Sequence, residues 1–481
     1  MNLQAQKFDN ALKGANLLSG LFPDEAEVYN LKAGILIRQG QLEEAKTNIE
    51  KALAQNPTLF PAKFNLAATE SRLGNVETSN QLIEELLTLS PQHNETLMLK
   101  AFNLTKAGKV DEAKQIYLDL LTLTPSNSGA RERVSSLYQQ QGDIKNALYH
   151  LDLLIKDDFD NADYLLRKAA LQLANNQRAD AEKTLSIVRN FINDDAGKLI
   201  AYADQARNIG DSEGALNAMA RAHDIANTST FVTLRYTSLL LDLQKNDKAQ
   251  SLLATIPTNQ QQNPVYHFLK GRLAANKGND ESAINAFEKA LEVDASFAQA
   301  FVAIYNYALN EQFVDVFLNT ARKLVSESEN NLLAKNLLAQ YLFFIQEFDE
   351  SIALYKELVE EPNLLNPAEA FNRLAIMHIE KSLVTAKNYA RQAYELQPNS
   401  SKILDTFGHI KALQGDYEGS LKMLRDAFAR DANDPNVRYH LGYTLAKLNR
   451  IDEAKKELEY AVNVERPFFR RPQARALLES L

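Results

Sequence analysis

Proline recurs at a fixed interval in the first part of the chain. Pro23, Pro57, Pro91 and Pro125 are each separated by 34 residues. Two further series keep this interval in constant phase. One consists of Gly40, Gly74, Gly108, Gly142, Asn176, Gly210 and Gly278, with Gly415 and Asn449 after a one-residue shift. The other consists of Ala11, Ala45, Ser79, Ala113, Ala147, Ala181, Ala215, Ala249 and Ala283, with Ala386 and Ala454 after the shift. Such a period indicates a repeat architecture rather than a set of compact domains.

The residues between Gly40 and Pro57 predict the structure of one repeat. Leu42, Ala45 and Ile49 begin an apolar series at spacings of three and four, which is typical of an amphipathic helix. Glycine, or asparagine in its place, favours the left-handed backbone that ends a helix. Proline cannot continue a helix, and a small side chain lets two helices approach closely. Each unit is therefore predicted to be a helix, a tight turn and a second helix.

The composition agrees with a helical chain and excludes several kinds of chemistry. Of 481 residues, 45% are hydrophobic, and the 17 glycines and 13 prolines are too few for a β fold of this length. The chain has no cysteine, which excludes disulfides, thiolate nucleophiles and cysteine metal sites. A net charge of -9 argues against general nucleic-acid binding. The sequence shows neither a membrane-spanning apolar run nor a signal-peptide pattern.

Residues 266–295 and 407–427 resemble the tetratricopeptide repeat family, and the resemblance extends over nearly the whole chain. The residues that carry it are Gly271, Gly278, Ala283, Phe287 and Ala290 in the first segment and Gly408, Gly415, Tyr417 and Ala427 in the second. The resemblance implies an all-α fold, a right-handed α-solenoid superhelix of about 13 tandem helix-turn-helix repeats. The phase of the prolines predicts repeat starts near residues 26, 60, 94, 128, 162, 196, 230, 264, 298, 332, 367, 401 and 435.

The phase also predicts how the chain is organised. Residues 1–25 supply a second helix only, residues 26–331 and 332–468 form repeats on either side of a divergent junction, and residues 469–481 form a capping helix. Near the junction, Gln312 replaces the turn glycine and Phe317 replaces the small residue, so these helices are expected to splay or shift. Gln346 replaces the next turn glycine, and the one-residue insertion falls just after it.

In tetratricopeptide repeats, positions 2, 5, 9, 12 and 13 of a unit face the concave groove, and the resemblance assigns residues to these positions here. Position 13 is Arg38, Arg72 and Lys106 in three successive units, which we call the basic rail. The neighbouring apolar positions are Phe64, Met98 and Phe102. A basic rail beside apolar side chains suits an acidic, partly apolar peptide segment. The alternative is that these residues are solvated helix ends.

A second candidate surface lies in the later repeats. Groove-facing positions there hold Phe268, Leu309, Phe343, Phe344, Phe371, His378 and Ile379. This is more apolar surface than a solvated wall needs. Docking of a protein partner and packing within the stack both explain it. In the tail, residues 466–475 gather four arginines around Phe468 and Phe469, which either hold an anionic partner or pack on the last repeat.

The sequence contains no recognisable active site. Its seven histidines are scattered, and no phosphate-binding loop, His-Glu-x-x-His helix or Gly-x-Ser-x-Gly elbow occurs. His409 and Asp405 lie on one helical face, and we interpret them as a solvated pair rather than a metal site. The chain is therefore predicted to be non-enzymatic and to need no cofactor.

The leading hypothesis is a scaffold that binds protein segments in its concave groove. More narrowly, residues 56–67 and 476–481 resemble bacterial tetratricopeptide lipoproteins of exopolysaccharide export and PEP-CTERM protein-sorting systems. That resemblance implies a protein on the periplasmic side of a bacterial membrane, with a lipidated cysteine upstream of Met1, and the half repeat at residues 1–25 is expected from such a truncation. Two other classes remain open: the regulatory or substrate-recruiting arm of an enzyme whose catalytic domain is absent, and a cytoplasmic adaptor.

Overall fold

A computed structural model of the protein describes residues 2–328, 330–465, 468 and 470–481. Over these residues the protein is helical and contains no β-strand, which confirms the predicted all-α solenoid. The chain divides into two compact units, Met1–Val232 and Thr233–Leu481. Each unit is a succession of paired helices in which neighbouring pairs pack on each other.

The first unit opens with α1 (Asn2–Leu21), which is followed by helices that alternate between the first and the second of a repeat. They are α2 (Ala26–Gln39), α3 (Leu42–Gln55), α4 (Phe60–Leu73), α5 (Val76–Leu89), α6 (Asn94–Lys106), α7 (Val110–Leu123), α8 (Ser128–Gln140), α9 (Ile144–Asp157), α10 (Ala162–Ala174), α11 (Arg178–Phe191), α12 (Ala196–Asn208) and α13 (Ser212–Ile225). The next helix, α14 (Thr230–Asp242), contains the boundary between the two units.

The second unit continues the alternation to the end of the described chain. Its helices are α15 (Asn246–Thr255), followed by a 3-10 turn (Thr258–Gln260), α16 (Pro264–Asn276), α17 (Asp280–Val293), α18 (Ala298–Leu309), α19 (Val314–Glu327), α20 (Leu332–Phe344), α21 (Phe348–Leu358), α22 (Pro367–His378), α23 (Leu383–Leu396), α24 (Ser401–Leu413), α25 (Tyr417–Arg430), α26 (Pro435–Lys447), α27 (Ile451–Asn463) and α28 (Arg471–Glu479). The even-numbered helices from α2 to α26 begin at all thirteen predicted repeat starts. The 34-residue phase is therefore confirmed in both units.

The turn between the two helices of a repeat is left-handed where glycine or asparagine was predicted. Gly40 has φ +79° and Gly415 has φ +87°, while Asn176 and Asn449 have φ +58° and +62°. Gln346, which replaces glycine near the junction, takes the same conformation at φ +67°. The backbone thus keeps the turn even where the side chain makes it costly, since a residue with a Cβ rarely adopts positive φ.

The repeat that begins with α18 departs from the others. The prediction that Gln312 occupies the left-handed position is wrong: Glu311 and Phe313 have φ +59° and +52° instead. Helix α18 ends at Leu309, so the turn to α19 is longer and contains two left-handed residues. Phe317, at the position of the small residue, is fully buried with its ring stacked 5.6 Å from that of Phe301.

The small residues mark the closest approach of two helices, as predicted. Nine alanines of the series are fully buried, namely Ala45, Ala113, Ala147, Ala181, Ala215, Ala249, Ala283, Ala386 and Ala454. Ser79 is buried as well, and its hydroxyl donates a 2.8 Å hydrogen bond to the carbonyl of Ala67. For Ala11 the prediction is wrong, because α1 turns this residue to solvent and buries Ala15 instead.

Replacement of Ala113 by leucine tests this packing. The side chain of Ala113 has no accessible surface and lies in a cluster with Tyr117 and Leu120, so three extra carbon atoms would force neighbouring side chains off their rotamers. We expect Ala113→Leu to lower the free energy of unfolding by roughly 1 to 3 kcal/mol, measured by urea denaturation. The control, Ala107→Leu at an exposed helix end, should change it by less than about 0.5 kcal/mol. Equal values for the two variants would contradict the close approach.

Candidate protein-binding surface

The basic rail lies at the carboxyl ends of three successive first helices in the first unit. Arg38, Arg72 and Lys106 each occupy the last turn of their helix, α2, α4 and α6, and all three side chains are exposed. A cation in this place interacts favourably with the negative end of the helix dipole. The rail is therefore a row of exposed positive charges whose position in every repeat is fixed by the helix that carries it.

Two members of the rail also bridge to the preceding repeat. Arg72 Nη1 donates a 3.3 Å hydrogen bond to the carbonyl of Ile37, and Lys106 Nζ donates a 3.1 Å hydrogen bond to the carbonyl of Ser71. These carbonyls are in the last turns of α2 and α4 and already accept from the backbone N–H groups of Gly40 at 3.2 Å and Gly74 at 3.4 Å, so each cation adds a second donor. The rail thus has a structural role that sequence reasoning missed, and each cation keeps further donors for a ligand.

The apolar residues beside the rail are half-buried. The centres of the Phe64 and His93 rings lie 5.9 Å apart, and Met98 packs against the cluster around Tyr117. The Phe102 ring lies 5.5 Å from the ammonium group of Lys106, a cation–π contact. The structure therefore places the rail and the three apolar residues on neighbouring repeats, each with part of its side chain accessible.

A pair of carboxamides on the same repeats was missed by sequence reasoning. Asn65 Nδ2 donates a 2.8 Å hydrogen bond to Oδ1 of Asn30, which lies on the preceding first helix. Positions 5 and 6 of neighbouring units are thus linked directly. The signal was present in the sequence, because two polar residues 35 positions apart meet when the repeat is 34 residues long.

The aromatic residues of the second unit are unequally exposed. Phe268 packs against Phe287 at 5.7 Å, and Phe371 stacks on Tyr389 at 6.2 Å, so both are half-buried. Phe343 is half-buried, and Phe344 is 57% exposed. Of the four, Phe344 therefore presents the largest accessible fraction.

The surface around Phe343 and Phe344 also includes Arg373, Leu309 and His378. The guanidinium carbon of Arg373 lies 4.3 Å from the centre of the Phe343 ring. Leu309 is 39% exposed and occupies position 12 of its unit. Phe344 occupies position 13 of the next unit, 35 residues further along the chain. His378 is buried, and its Nδ1 lies 2.8 Å from the carbonyl of Leu374. Packing within the stack thus accounts for several members of this set, and Phe344 and Leu309 are left for a partner.

The interpretation of Asp405 and His409 as a solvated pair is wrong. The side chains are buried in the last repeats, with 7% and 4% of their surfaces exposed, because Arg470 and the next first helix cover them. Of the basic tail, Arg466, Pro467 and Phe469 lie outside the described residues. Phe468 is buried and packs on Tyr439 at 6.0 Å. In the tail, at least this aromatic therefore packs on the last repeat.

A cavity of about 300 Å³ in the first unit lies between α11, α12 and α13. Its lining includes Arg189 and Arg221, and both cations already have partners. Arg189 pairs with Asp211 at 2.6 Å, and Arg221 pairs with Asp194 at 2.6 Å. The charges that could attract a ligand are thus neutralised within the protein.

Metal sites and membrane-spanning helices were considered for the described residues by the side chains and helices that each would need. No group of three or more His, Cys, Asp or Glu side chains there is arranged to hold a metal ion. In the same ranges, no helix combines the length and the apolar character that crossing a membrane requires.

Comparison with known proteins supports the repeat assignment. Models of the tetratricopeptide repeat match residues 26–59, 265–297 and 412–481. The chain thus contains tetratricopeptide repeats, in segments from both units. The TPR repeat-containing protein YpiA of Bacillus subtilis is 23% identical over 267 residues, which are 54% of this chain and 61% of YpiA. The chain therefore spans less than two thirds of the length of this curated relative.

Two solved structures are similar to parts or all of the chain. The crystal structure of the APC/C hetero-tetramer Cut9-Hcn1 aligns with 99% of this chain and 94% of its own, at 15% identity and a TM-score of 0.39. PilF of Pseudomonas aeruginosa aligns with 45% of this chain and 97% of its own, at 17% identity and a TM-score of 0.38.

Neutral substitutions test the bridging hydrogen bonds of Arg72 and Lys106, with the same substitution of Arg38 as the reference for loss of a charge. We expect Arg72→Met and Lys106→Met each to lower the free energy of unfolding by up to about 1 kcal/mol, because a helix-end carbonyl of the preceding repeat loses one of its two donors, the charged one. Arg38→Met should cost less, below about 0.5 kcal/mol. Urea denaturation of the three single variants measures the difference. A cost for Arg38→Met equal to the other two would contradict the bridging role.

Proposed function

We propose that this protein is a non-enzymatic scaffold that binds protein segments, and that the inner wall of its first unit takes an acidic, partly apolar segment. The observation that carries the proposal is the basic rail, three exposed cations at one position of three successive repeats. Cations at regular spacing beside partly accessible apolar side chains provide both charge complementarity and anchoring contacts. The tetratricopeptide repeats agree with a role in protein–protein interaction.

The charge on this wall is polarised along the helices. At the amino ends of α2 and α6, Glu27 and Glu95 are exposed at position 2, eleven residues before Arg38 and Lys106. At a rise of 1.5 Å per residue, the acidic and basic edges lie about 16 Å apart. An acidic segment is therefore repelled by one edge and attracted by the other, so it should lie along the carboxyl ends of the first helices.

The spacing of the rail predicts the spacing of the ligand. Packed neighbouring helices have axes about 8 to 10 Å apart. An extended peptide advances about 3.3 Å per residue, so successive cations match carboxylates at every third residue. The side chains between those carboxylates would contact Phe64, Met98 and Phe102.

Peptide binding tests this proposal. The probe is a fluorescein-labelled nonapeptide with Glu at every third position and Leu or Ser between, compared with a scrambled peptide that has its three Glu adjacent. We expect tighter binding of the spaced peptide, measured by fluorescence anisotropy, and weaker binding as salt rises. The triple variant Arg38→Glu, Lys106→Glu and Arg72→Glu should lower the affinity roughly tenfold or more, since three attractions become repulsions.

The matched control reverses three exposed lysines on second helices of the same unit, Lys145, Lys156 and Lys183. This control changes the net charge equally, so a local effect of the rail is separated from a general one. Equal loss of binding in the two triple variants would show that net charge alone acts. Equal affinity of the wild-type protein for the spaced and scrambled peptides would overturn the proposed register.

The second unit supports a further contact for the same scaffold. Phe344 is 57% exposed and Leu309 is 39% exposed on the first helix of the preceding repeat, so an apolar side chain of a bound segment could cover both. We expect Phe344→Ser to weaken capture of an amphipathic partner segment while leaving the fold intact. Leu365→Ser is the matched control, since Leu365 is fully exposed in the same unit. If the control weakens binding as much as Phe344→Ser, the surface around Phe344 is not the contact.

We also propose the narrower role, in bacterial exopolysaccharide export or surface-protein sorting on the periplasmic side of a membrane. Its support is the sequence resemblance of residues 56–67 and 476–481 to lipoproteins of those systems. A lipobox cysteine upstream of Met1 in the gene would favour this role, whereas an upstream catalytic domain would favour the regulatory arm of an enzyme. Fractionation of cells that make the full-length protein separates a membrane-anchored form from a cytoplasmic adaptor.

A further inference from the structure

Helices α24 and α26 bring three titratable side chains together inside the last two complete repeats. Asp405, His409 and His440 are 7%, 4% and 5% exposed. His440 Nδ1 lies 2.8 Å from Asp405 Oδ1, and the two imidazole rings stack with their centres 3.8 Å apart and their planes within 16°. Charged groups are rarely buried without a partner, so this concentration of titratable groups in a repeat scaffold is unusual.

A fourth side chain joins these residues to the end of the chain. Arg470 is the N-cap residue of α28, and its Nη1 lies 3.4 Å from His409 Nε2. A guanidinium group can only donate, so His409 must accept through Nε2 and carry its proton on Nδ1. The contact therefore requires a neutral His409. Asp405, His440, His409 and Arg470 together form what we call the terminal array.

The hydrogen bonding of the array is incomplete. His409 Nδ1 and His440 Nε2 are buried, and neither has a hydrogen-bond partner among the described residues. A buried polar atom without a partner favours any conformation that returns it to water. The closed array thus carries the free-energy cost of two unpaired buried nitrogen atoms, and entry of water would remove that cost.

Burial and the neighbouring charges keep both histidines neutral. Burial, followed by the positive charge of Arg470, lowers the pKa of His440 well below 6.5. Burial, followed by His440 and then Arg470, lowers the pKa of His409 well below 6.5. Burial and the charge of Asp434 raise the pKa of Asp405 well above 3.8, against the opposing effect of Arg470.

The other charged groups around the array are engaged elsewhere or act weakly. Asp434, at the amino end of α26, accepts from the backbone of Asn436, and its charge favours protonation of His440. On α24, Lys411 pairs with Asp416 of the following turn at 2.7 Å, and on α26, Arg438 pairs with Glu457 of α27 at 2.5 Å. Two tyrosine rings of α26, Tyr439 and Tyr443, contact the histidines at 5.2 and 6.2 Å. On α28, Arg471 donates to the carbonyl of Val464.

Helix α28 is short and is also held by an apolar cluster. It is nine residues long, and Ala474 is its buried residue. Phe468, ahead of the helix, packs with Tyr439 and Leu458, and Leu477, Leu478 and Leu481 are partly buried against the same cluster. A helix this short is not stable without tertiary contacts. Loss of the Arg470 contact would therefore leave this apolar cluster to hold the helix by itself, and repulsion at Arg470 would act against it.

We propose that the terminal array is an acid-sensitive latch, which holds α28 on the last repeat near neutral pH and releases it in acid. Protonation of His409 turns its Nε2 from an acceptor into a donor and places a second positive charge against Arg470. The contact then becomes repulsive, and α28 leaves the end of the stack. Release would uncover the surface of α26 and α27 that Phe468 and Ala474 now bury.

The sign of the pH dependence follows from the three buried groups. The lowered pKa values of the two histidines contribute stability that is present above about pH 6.5 and is lost as the pH falls. Asp405 has the opposite sign, because its raised pKa contributes stability below about pH 3.8 that is lost as the pH rises. Release therefore takes up protons at the two histidines and gives up a proton at Asp405, and with two sites against one the balance favours release as the pH falls. A net uptake of one proton sets an upper limit of about tenfold per pH unit on this shift.

Hydrogen–deuterium exchange of the full chain at pH 6.5, 5.5 and 4.5 tests the latch. After correction for intrinsic exchange rates, we expect α28 to open more at pH 4.5 than at pH 6.5, by up to about 100-fold for a net uptake of one proton over two pH units. Peptides from α4 to α10 in the same sample serve as the internal reference. A simultaneous loss of protection in those helices would mean general acid unfolding and would overturn the proposal.

Conservative variants give different slopes if the array is the sensor. Asp405→Asn removes the opposing proton, so the slope should rise towards the two-proton limit of about 100-fold per pH unit, whereas His409→Gln should nearly abolish it. Arg470→Met should weaken the response, because a protonated His409 then meets no cation. His93→Gln, a half-exposed histidine of the first unit, is the matched control and should keep the wild-type slope. Wild-type slopes in both Asp405→Asn and His409→Gln would overturn the latch.

Discussion

The fold depends on how closely the two helices of each repeat approach one another. At one position in nearly every repeat a small side chain is fully buried, and in several repeats a glycine of the first helix lies against a large apolar side chain of the second. A Cβ on Gly271 would lie 2.4 Å from the ring of Phe287, and one on Gly442 would lie 2.7 Å from Leu458. Each repeat buries its apolar surface only against its neighbours, so this contact must be satisfied again in every unit. The short distance also fixes which side chains can face the groove.

Polar links between repeats occur in a common register, and their chemistry varies along the chain. In the first unit, Asn65 and Asn30 join position 6 of one repeat to position 5 of the preceding one. In the second unit, His440 and Asp405 occupy the same two positions. The carboxamide pair is indifferent to pH, whereas the imidazole and carboxyl pair titrates. One geometric slot can thus serve either as a permanent connection or as a sensor, depending on the two side chains placed in it.

The sequence predicts the repeats well because their determinants are local. Helix starts, left-handed turns and small buried residues each follow from a few neighbouring side chains repeated at one interval. The environment of Asp405 and His409 does not, since Asp405 pairs with His440 of the next first helix and His409 lies against Arg470, beyond the last complete repeat. The bridging of Arg72 to Ile37 was also missed, because position 13 was considered only as a surface facing a ligand. The period alone placed a left-handed turn at Gln312, whereas Glu311 and Phe313 adopt that conformation.

The left-handed turns without glycine have a mechanical consequence. Glu311, Phe313 and Gln346 hold strained backbone in two successive repeats of the second unit, and such conformations cost of order 1 kcal/mol or more each. In a linear array coupled only between neighbours, the weakest junctions decide where the array breaks. The strain here lies within two repeats, and a continuous cluster of buried apolar residues from Ala283 to Met377 joins these repeats to each other and to their neighbours, so packing and not turn chemistry holds this part of the array together.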